Sequence, residues 1–134
     1  MTEADIQAFT SKLTQWCAAQ QSVEEALIVG SVARNSYHED SDIDVVLICR
    51  QPSVFTEDHS WVSFWAEPLK TQAEQYGIVT SIRSFYEGLE VEYAVAPLSW
   101  LSKPLDEGTL QVLQGGYLIL LDKSGRADDV KSLV

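Results

Sequence analysis

The stretch GSVARNSYHEDSDIDVVLI, residues 30–48, decides how this chain folds, because it joins a Gly-Ser pair to an apolar run that begins between two aspartates. The run IDVVLIC, residues 43–49, is rich in β-branched side chains and predicts a buried strand. Carboxylates seldom lie beside a sheet core unless their charge is compensated. The stretch therefore predicts that something offsets the charge of Asp42 and Asp44.

These two aspartates are expected to point the same way, because side chains two positions apart in a strand lie on one face. Carboxylates this close repel unless a proton or a cation intervenes, and Mg²⁺, a hard ion that prefers oxygen ligands, suits the pair. A calcium-binding EF-hand is the alternative, since Asp40, Asp42 and Asp44 match its D-x-D-x-D opening. An EF-hand loop requires Gly at its sixth position and Glu at its twelfth. These positions are Val45 and Gln51 here, so an EF-hand is excluded.

A third acid is available in LEVEYAVAP, residues 89–97, where polar and apolar side chains alternate. Alternation places Glu90 and Glu92 on one face of a strand and the apolar residues on the other. If this strand lies beside the aspartate strand, one of the two glutamates completes a triad; otherwise both face solvent. Three acids can hold two metal ions, and the third can accept a proton from an attacking hydroxyl.

The Gly-Ser pair is informative because of where it stands. A glycine that ends a strand lets a phosphate approach the backbone closely, and the amides that begin the next helix can hold it. Ser31 can cap that helix or bond a phosphate oxygen. Gly30 and Ser31 are followed after ten residues by the D-x-D pair, and this spacing favours a combined phosphate and metal site.

The rest of the chain predicts one domain over residues 1–134, of the α+β or α/β class with about six strands. Residues 69–75 fit either a weak strand or a short helix. The elements expected from periodicity, turn residues and proline positions are a helix at 3–20, a strand at 26–29, a helix at 60–66, hairpin strands at 78–86 and 89–96, a helix at 106–113, a strand at 117–122 and a closing helix at 127–134.

Composition narrows the function further. The chain has no run of 18 apolar residues, and its N-terminus is acidic where a signal peptide is basic, so no membrane span and a cytoplasmic location are expected. A net charge of −11 with only nine Lys and Arg residues argues against a long nucleic acid as partner, although it permits one nucleotide held through a metal. Cys17 and Cys49 lack metal-binding spacing and are predicted to be buried and reduced.

The segment GSVARNSYHEDSDIDV resembles the motif of the nucleotidyltransferase superfamily related to DNA polymerase beta, in which GS precedes SDIDL-like residues at this spacing. VTSIRSFYEGLEVEYAVAP is similar to the strand pair that supplies the third carboxylate in small bacterial members, and SWLSKPLDEGTLQVLQGGYLILLD to the tail that follows. The resemblance covers residues 25–125. It implies a mixed sheet flanked by helices and a Mg²⁺-dependent transfer of a nucleoside monophosphate, AMP, from a triphosphate, ATP.

Site residues follow from the same resemblance. It implies that Asp42, Asp44 and Glu92 bind two metal ions, that Glu92 acts as the base, and that Gly30 and Ser31 hold the triphosphate. The chain departs from the motif by a Glu at position 92, where Asp is commoner. Antibiotic-modifying members with Glu there are known.

The sequence also gives expectations for other side chains, and the role of Arg34 stays open. Asn35 stands where the family usually has Gly, and Asn tolerates left-handed backbone geometry. Arg34 either neutralises phosphate oxygens or pairs with Asp40 or Asp42. Arg83 is expected to pair across the hairpin with Glu92. The four tryptophans are expected to be core or interface aromatics, and the sequence does not indicate which could stack on a base.

The leading hypothesis is thus an enzyme that adenylylates a hydroxyl of a small molecule or protein. Members that modify aminoglycosides add a helical domain, for which this chain has no residues left, so the acceptor pocket is expected from a homodimer, a partner or the open sheet face. The acidic charge suits a cationic acceptor. The alternatives are an antitoxin-like minimal nucleotidyltransferase that binds or adenylylates a helical partner protein, and a catalytically inactive nucleotide-binding regulator.

Overall fold

A mixed six-stranded sheet forms the centre of the computed structural model, which describes residues 1–134. The strands are β1 (Val23–Val29), β2 (Ile43–Cys49), β3 (Lys70–Tyr76), β4 (Val79–Tyr86), β5 (Leu89–Pro97) and β6 (Tyr117–Asp122). Their order across the sheet is β3-β4-β5-β2-β1-β6, and only the neighbours β2 and β5 are parallel. The α+β fold expected from the sequence is confirmed.

The helices are mostly short and lie on both faces of this sheet. They are α1 (Glu3–Ala19), α2 (Gly30–Ala33), α3 (Ser53–Thr56), α4 (Glu107–Gln114) and α5 (Arg126–Asp129), with 3₁₀ turns at Ser60–Phe64, Leu98–Leu101 and Lys131–Leu133. A capping box begins α1, in which Thr2 and Asp5 each accept a hydrogen bond from the other's amide. None of the helices combines the length and apolar character needed to cross a membrane.

Two hydrophobic clusters, one on each face, hold the sheet between the helices. The larger packs α1 against alternate residues of β2, among them Ile43, Val45 and Leu47. The smaller contains Val46 and Ile48, whose side chains point the other way. Because Asp42 and Asp44 share the parity of Val46 and Ile48, they lie on the face of the smaller cluster. Both cysteines are buried and unpaired, as predicted.

Three local expectations differ from the structure, and one alternative that the sequence left open is decided by it. Strand β1 begins at residue 23 rather than 26, because its two glutamates are buried beside arginines. The helix expected at 60–66 is a five-residue 3₁₀ turn, since the carbonyl of Val62 accepts a hydrogen bond from the hydroxyl of Tyr86 at 2.6 Å. The ambiguous residues 69–75 form strand β3. The closing helix at 127–134 is divided at the buried Val130 into α5 and a 3₁₀ turn.

Glu25 is a charged side chain with no solvent exposure, placed against the turn that follows β6. The amide of Ser124 donates to its Oε2 at 3.4 Å, and Nη1 of Arg126 lies 3.7 Å from Oε1, which has no hydrogen bond. Burial, and to a smaller extent Asp122, raises the pKa of Glu25 from 4.5 to about 7 despite Arg126. The folded protein thus binds the proton of Glu25 more tightly than the unfolded chain does. Stability is therefore lost as the pH rises from about 4.5 through about 7.

Glu25→Gln should therefore stabilise the protein at about pH 8, by roughly 1–2 kcal/mol, and have little effect near pH 4, because only the wild type then carries a buried charge at the higher pH. Urea unfolding at both pH values measures the difference. The exposed Glu107 provides a control, since Glu107→Gln should change stability equally little at both. A loss of stability in Glu25→Gln that is larger at pH 8 would contradict this interpretation.

Candidate active site

Three carboxylates meet at the centre of the sheet because β2 and β5 run parallel. Their register places Asp44 opposite Glu92. One oxygen from each of Asp42, Asp44 and Glu92 lies within 4.8 Å of the other two, so these residues form one group, which we call the acid cluster. Glu90 lies outside it. The geometry thus selects Glu92 from the two glutamates that the strand pattern left open.

Arg83 on β4 is the cation of this site. Its Nη1 contacts Asp42 Oδ2 at 2.8 Å and Glu90 Oε1 at 3.3 Å, while Nη2 contacts Glu92 Oε2. The pairing of Arg83 with Glu92 across the hairpin was predicted from the sequence and is observed. The contact with Asp42 was not predicted, because it depends on β2 lying next to β5 and no local pattern indicates that neighbour.

Asp44 has no ion-pair partner. Arg83 bridges the other two acids, and no basic side chain lies within ion-pair distance of Asp44. Burial raises the pKa of Asp44 from 3.8 to about 7, with further contributions from Asp42 and Glu92 that Arg83 and Arg34 only partly offset. A half-buried carboxylate between two others is stabilised by a nearby cation, and a set of oxygen ligands suits a hard divalent metal. The residues present therefore fit a metal ion.

The main chain approaches Asp44 most closely at Gly30, directly after β1. Gly30 has φ +74°, and a Cβ added there would overlap Asp44 Oδ2 and lie 3.2 Å from its Cγ. Ser31 follows in the first turn of α2, half-buried, with its carbonyl accepting from the amide of Ser36 at 2.9 Å. Asn35 has φ 56°, the left-handed geometry that Asn tolerates in place of Gly. The motif thus brings a bare stretch of backbone against the acid cluster.

Arg34 lies on the α2 side of the cluster. Its Nη1 donates to the carbonyl of Gly115 at 3.4 Å, in the turn between α4 and β6. It forms no ion pair with Asp40 or Asp42, and Asp42 pairs with Arg83 instead. Since Arg34 is exposed and its charge lowers the pKa of Asp44, it is a cation near the cluster that no carboxylate neutralises.

The mixed sheet and the acid cluster beside a glycine-ended strand define a nucleotidyltransferase domain. The chain belongs to this family: the family model described as "Nucleotidyltransferase domain" matches residues 10–95. The resemblance seen in the sequence is thus confirmed.

The fold is also found in a known structure. It is similar to the crystal structure of an aminoglycoside 6-adenyltransferase from Bacillus subtilis, with a TM-score of 0.53 and 12% sequence identity. The match covers 66% of this chain and 34% of that chain, so this chain corresponds to about a third of the length of that protein. A search of curated proteins finds no match. At this identity the likeness concerns the fold alone.

Proposed function

We propose that the protein transfers AMP from ATP to a hydroxyl group of an acceptor, with Mg²⁺ as cofactor. The observation that carries this proposal is the acid cluster, in which three carboxylate oxygens lie within 4.8 Å of one another beside Gly30. Bound Mg²⁺ would offset the negative charge of the phosphates during transfer.

Each acid has a distinct part in this reaction. Asp42 and Asp44 would hold the metal ions, and Asp44 is well suited to this because it has no ion-pair partner and its charge is opposed by Asp42 and Glu92. Glu92 completes the ligand set and accepts the proton of the acceptor hydroxyl. Arg83 bonds Oε2 of Glu92, so Oε1 is the oxygen left for that proton. The acceptor oxygen then bonds to the α-phosphorus, the bond to the β-phosphate oxygen breaks, and pyrophosphate leaves.

We assign the triphosphate to the side of the acid cluster that faces Gly30. Gly30 leaves room for phosphate against the backbone, and Ser31 offers an amide and a hydroxyl there. Arg34 supplies the positive charge, since it is exposed and free of carboxylate partners. These three residues would act together with the metal ions, because Arg83, the other arginine at the acid cluster, is already paired with carboxylates.

The acceptor is assigned to the opposite side, where β3 and β4 form a polar groove of about 530 Å³ next to Glu92. Its lining includes Gln72, Glu74 and Ser81, which offer carboxylate, amide and hydroxyl groups. Together with a net charge of −11, this lining favours a cationic or hydroxyl-rich acceptor, either a small molecule or a group on a partner protein.

Calorimetric titration of ATP, GTP, CTP and UTP, with and without Mg²⁺, tests the donor site directly. We expect binding that requires Mg²⁺ and is lost in Asp44→Asn. Metal-dependent binding that persists unchanged in the variant would contradict the assignment of Asp44. If no triphosphate binds to the chain alone, the catalytic proposal fails for the isolated protein, and the antitoxin-like, partner-binding alternative takes its place.

Arg83→Met should make the fold depend on Mg²⁺, because the substitution leaves Asp42, Glu90 and Glu92 facing one another without a counter-charge. We expect a loss of about 1–2 kcal/mol in EDTA, less than for a buried pair because these side chains are about one-third exposed. Mg²⁺ should restore most of it. Thermal unfolding with EDTA and with Mg²⁺ measures both effects.

Arg50→Met is the matched control, since it removes an arginine that pairs with Glu24 at 2.7 Å, away from the acid cluster. It can destabilise the protein, but Mg²⁺ should not restore that loss. Equal Mg²⁺ responses in the two variants would show that Arg83 does not balance the charge of the metal site.

A further inference from the structure

A second cavity adjoins the acid cluster, and it shares only Glu92 with the polar groove. Its volume is about 230 Å³, and seven of its nine lining residues are hydrophobic. Asp44 and Glu92 line one part of it, and Trp100, Val79 and Val112 belong to the apolar part. We call it the Trp100 cavity. It shares two residues with the acid cluster, so the two sites are contiguous.

Trp100 differs from the other tryptophans of the chain. Trp16 and Trp61 stack on each other with ring centroids 5.3 Å apart, and Trp65 packs edge-on against Phe9 at 5.4 Å. These three rings belong to the aromatic packing of the larger cluster. Trp100 lies on the opposite face of the sheet, against the smaller cluster, and packs against no aromatic ring. Its ring is only half-buried and lines the Trp100 cavity.

We infer that the Trp100 cavity binds the nucleobase of the donor, with the ring of Trp100 as the stacking platform. This inference rests on the proposed function and extends it. A nucleoside triphosphate has one flat aromatic group and one anionic chain, and the site offers one apolar cavity and one cluster for metal ions. Val29, which also lines the cavity, directly precedes Gly30, so the phosphate side and the base side are contiguous.

The chemistry of the lining also predicts which bases bind. Apart from Asp44 and Glu92, which are assigned to the metal ions, the indole N–H of Trp100 is the one polar side-chain group in the lining that could read a base edge. Recognition then depends on stacking and apolar contact, which tolerate different bases and favour those with the larger ring surface. Purine triphosphates should therefore bind more tightly than pyrimidine triphosphates, with ATP and GTP similar to each other.

The test compares ligands with and without a base. Binding of ATP and of inorganic tripolyphosphate, each with Mg²⁺, is measured by calorimetry for the wild type, Trp100→Leu and Trp100→Phe. Trp100→Leu should weaken ATP binding about tenfold, since loss of an aromatic stacking partner for one base typically costs about that factor. Trp100→Phe keeps a ring and should restore much of the loss. Tripolyphosphate should bind all three proteins equally.

Tyr76→Leu is the matched control, because Tyr76 is an exposed aromatic residue that lines the polar groove and not the Trp100 cavity. It should leave ATP affinity unchanged. A loss of ATP binding in Tyr76→Leu but not in Trp100→Leu would place the base in the groove and overturn the inference.

The remaining outcomes separate this inference from the function on which it rests. Equal weakening of ATP and tripolyphosphate in Trp100→Leu would mean that the residue is only structural, which also overturns it. If the wild type binds neither ligand, the donor site itself fails, and the inference fails with it. If the wild type binds ATP and Trp100→Leu binds it equally well, the proposed function stands and only the base assignment is wrong.

Discussion

Asp44→Asn should abolish nucleotidyl transfer and, in the metal-free protein, raise the stability of the fold. Activity should fall at least about 1,000-fold, because groups that stabilise charge at a reacting centre typically contribute 100- to 1,000-fold and this one also retains the metal ions. The stability gain has a separate cause, which is that burial and two neighbouring acids disfavour the charged form of Asp44.

The sign of the stability effect follows from the pKa. Asp44 titrates near 3.8 when unfolded and near 7 when folded, so its charge costs stability as the pH rises from about 4 through 7. Asparagine keeps the size and removes the charge. We expect Asp44→Asn to be about 2 kcal/mol more stable than the wild type at about pH 8 in EDTA, and nearly equal below pH 4.

Two measurements check this pair of effects. Transfer is followed as Mg²⁺-dependent pyrophosphate release, and stability by urea unfolding in EDTA at both pH values. Asp40→Asn is the control, since Asp40 is an exposed acid in the loop that precedes β2 and lies outside the acid cluster. Asp40→Asn should change neither the rate of transfer nor the free energy of unfolding appreciably. A stable Asp44→Asn protein with wild-type transfer would eliminate the proposed mechanism.

Gly30→Ala should be the second most damaging change, although it adds a single methyl group. The new Cβ would overlap Asp44 Oδ2, so either the backbone or the central carboxylate of the acid cluster must move. A displacement of this kind at a reacting centre costs about 100-fold in rate. Backbone strain adds about 1–2 kcal/mol of destabilisation, because φ is +74° at this position.

The chain offers a matched control for that strain. Gly88 has φ +77°, close to the φ of Gly30, but a Cβ there would meet nothing within 4 Å. Gly88→Ala should thus show the strain alone, with transfer unchanged. The difference in unfolding free energy between the two variants isolates the overlap with Asp44.

A double-mutant cycle tests the cause. In an Asp44→Ala background the overlapping oxygen is absent, so Gly30→Ala should cost no more stability than Gly88→Ala. If Gly30→Ala remains equally destabilising in that background, the overlap with Asp44 is not the reason for the glycine.

The sequence by itself determined those features that depend on neighbours along the chain. Alternation placed Asp42 and Asp44 on one face and Glu90 and Glu92 on one face, and both placements are observed. The Glu87-Gly88 turn set the register of the hairpin and thereby paired Arg83 with Glu92. The spacing from Gly30 to Asp42 carried the resemblance to the nucleotidyltransferases, which the family match bears out. Such signals are reliable because strand periodicity and turn geometry are local.

Only the tertiary structure decided which distant elements meet. The parallel pairing of β2 with β5 selects Glu92 rather than Glu90 for the acid cluster and brings Asp42 to Arg83. The arginines that accompany the buried glutamates of β1 come from other parts of the chain. Trp100 is set apart from the other tryptophans by the face of the sheet on which it lies. Composition and periodicity contain no information on these contacts, because the packing of the whole domain chooses the neighbour and the face.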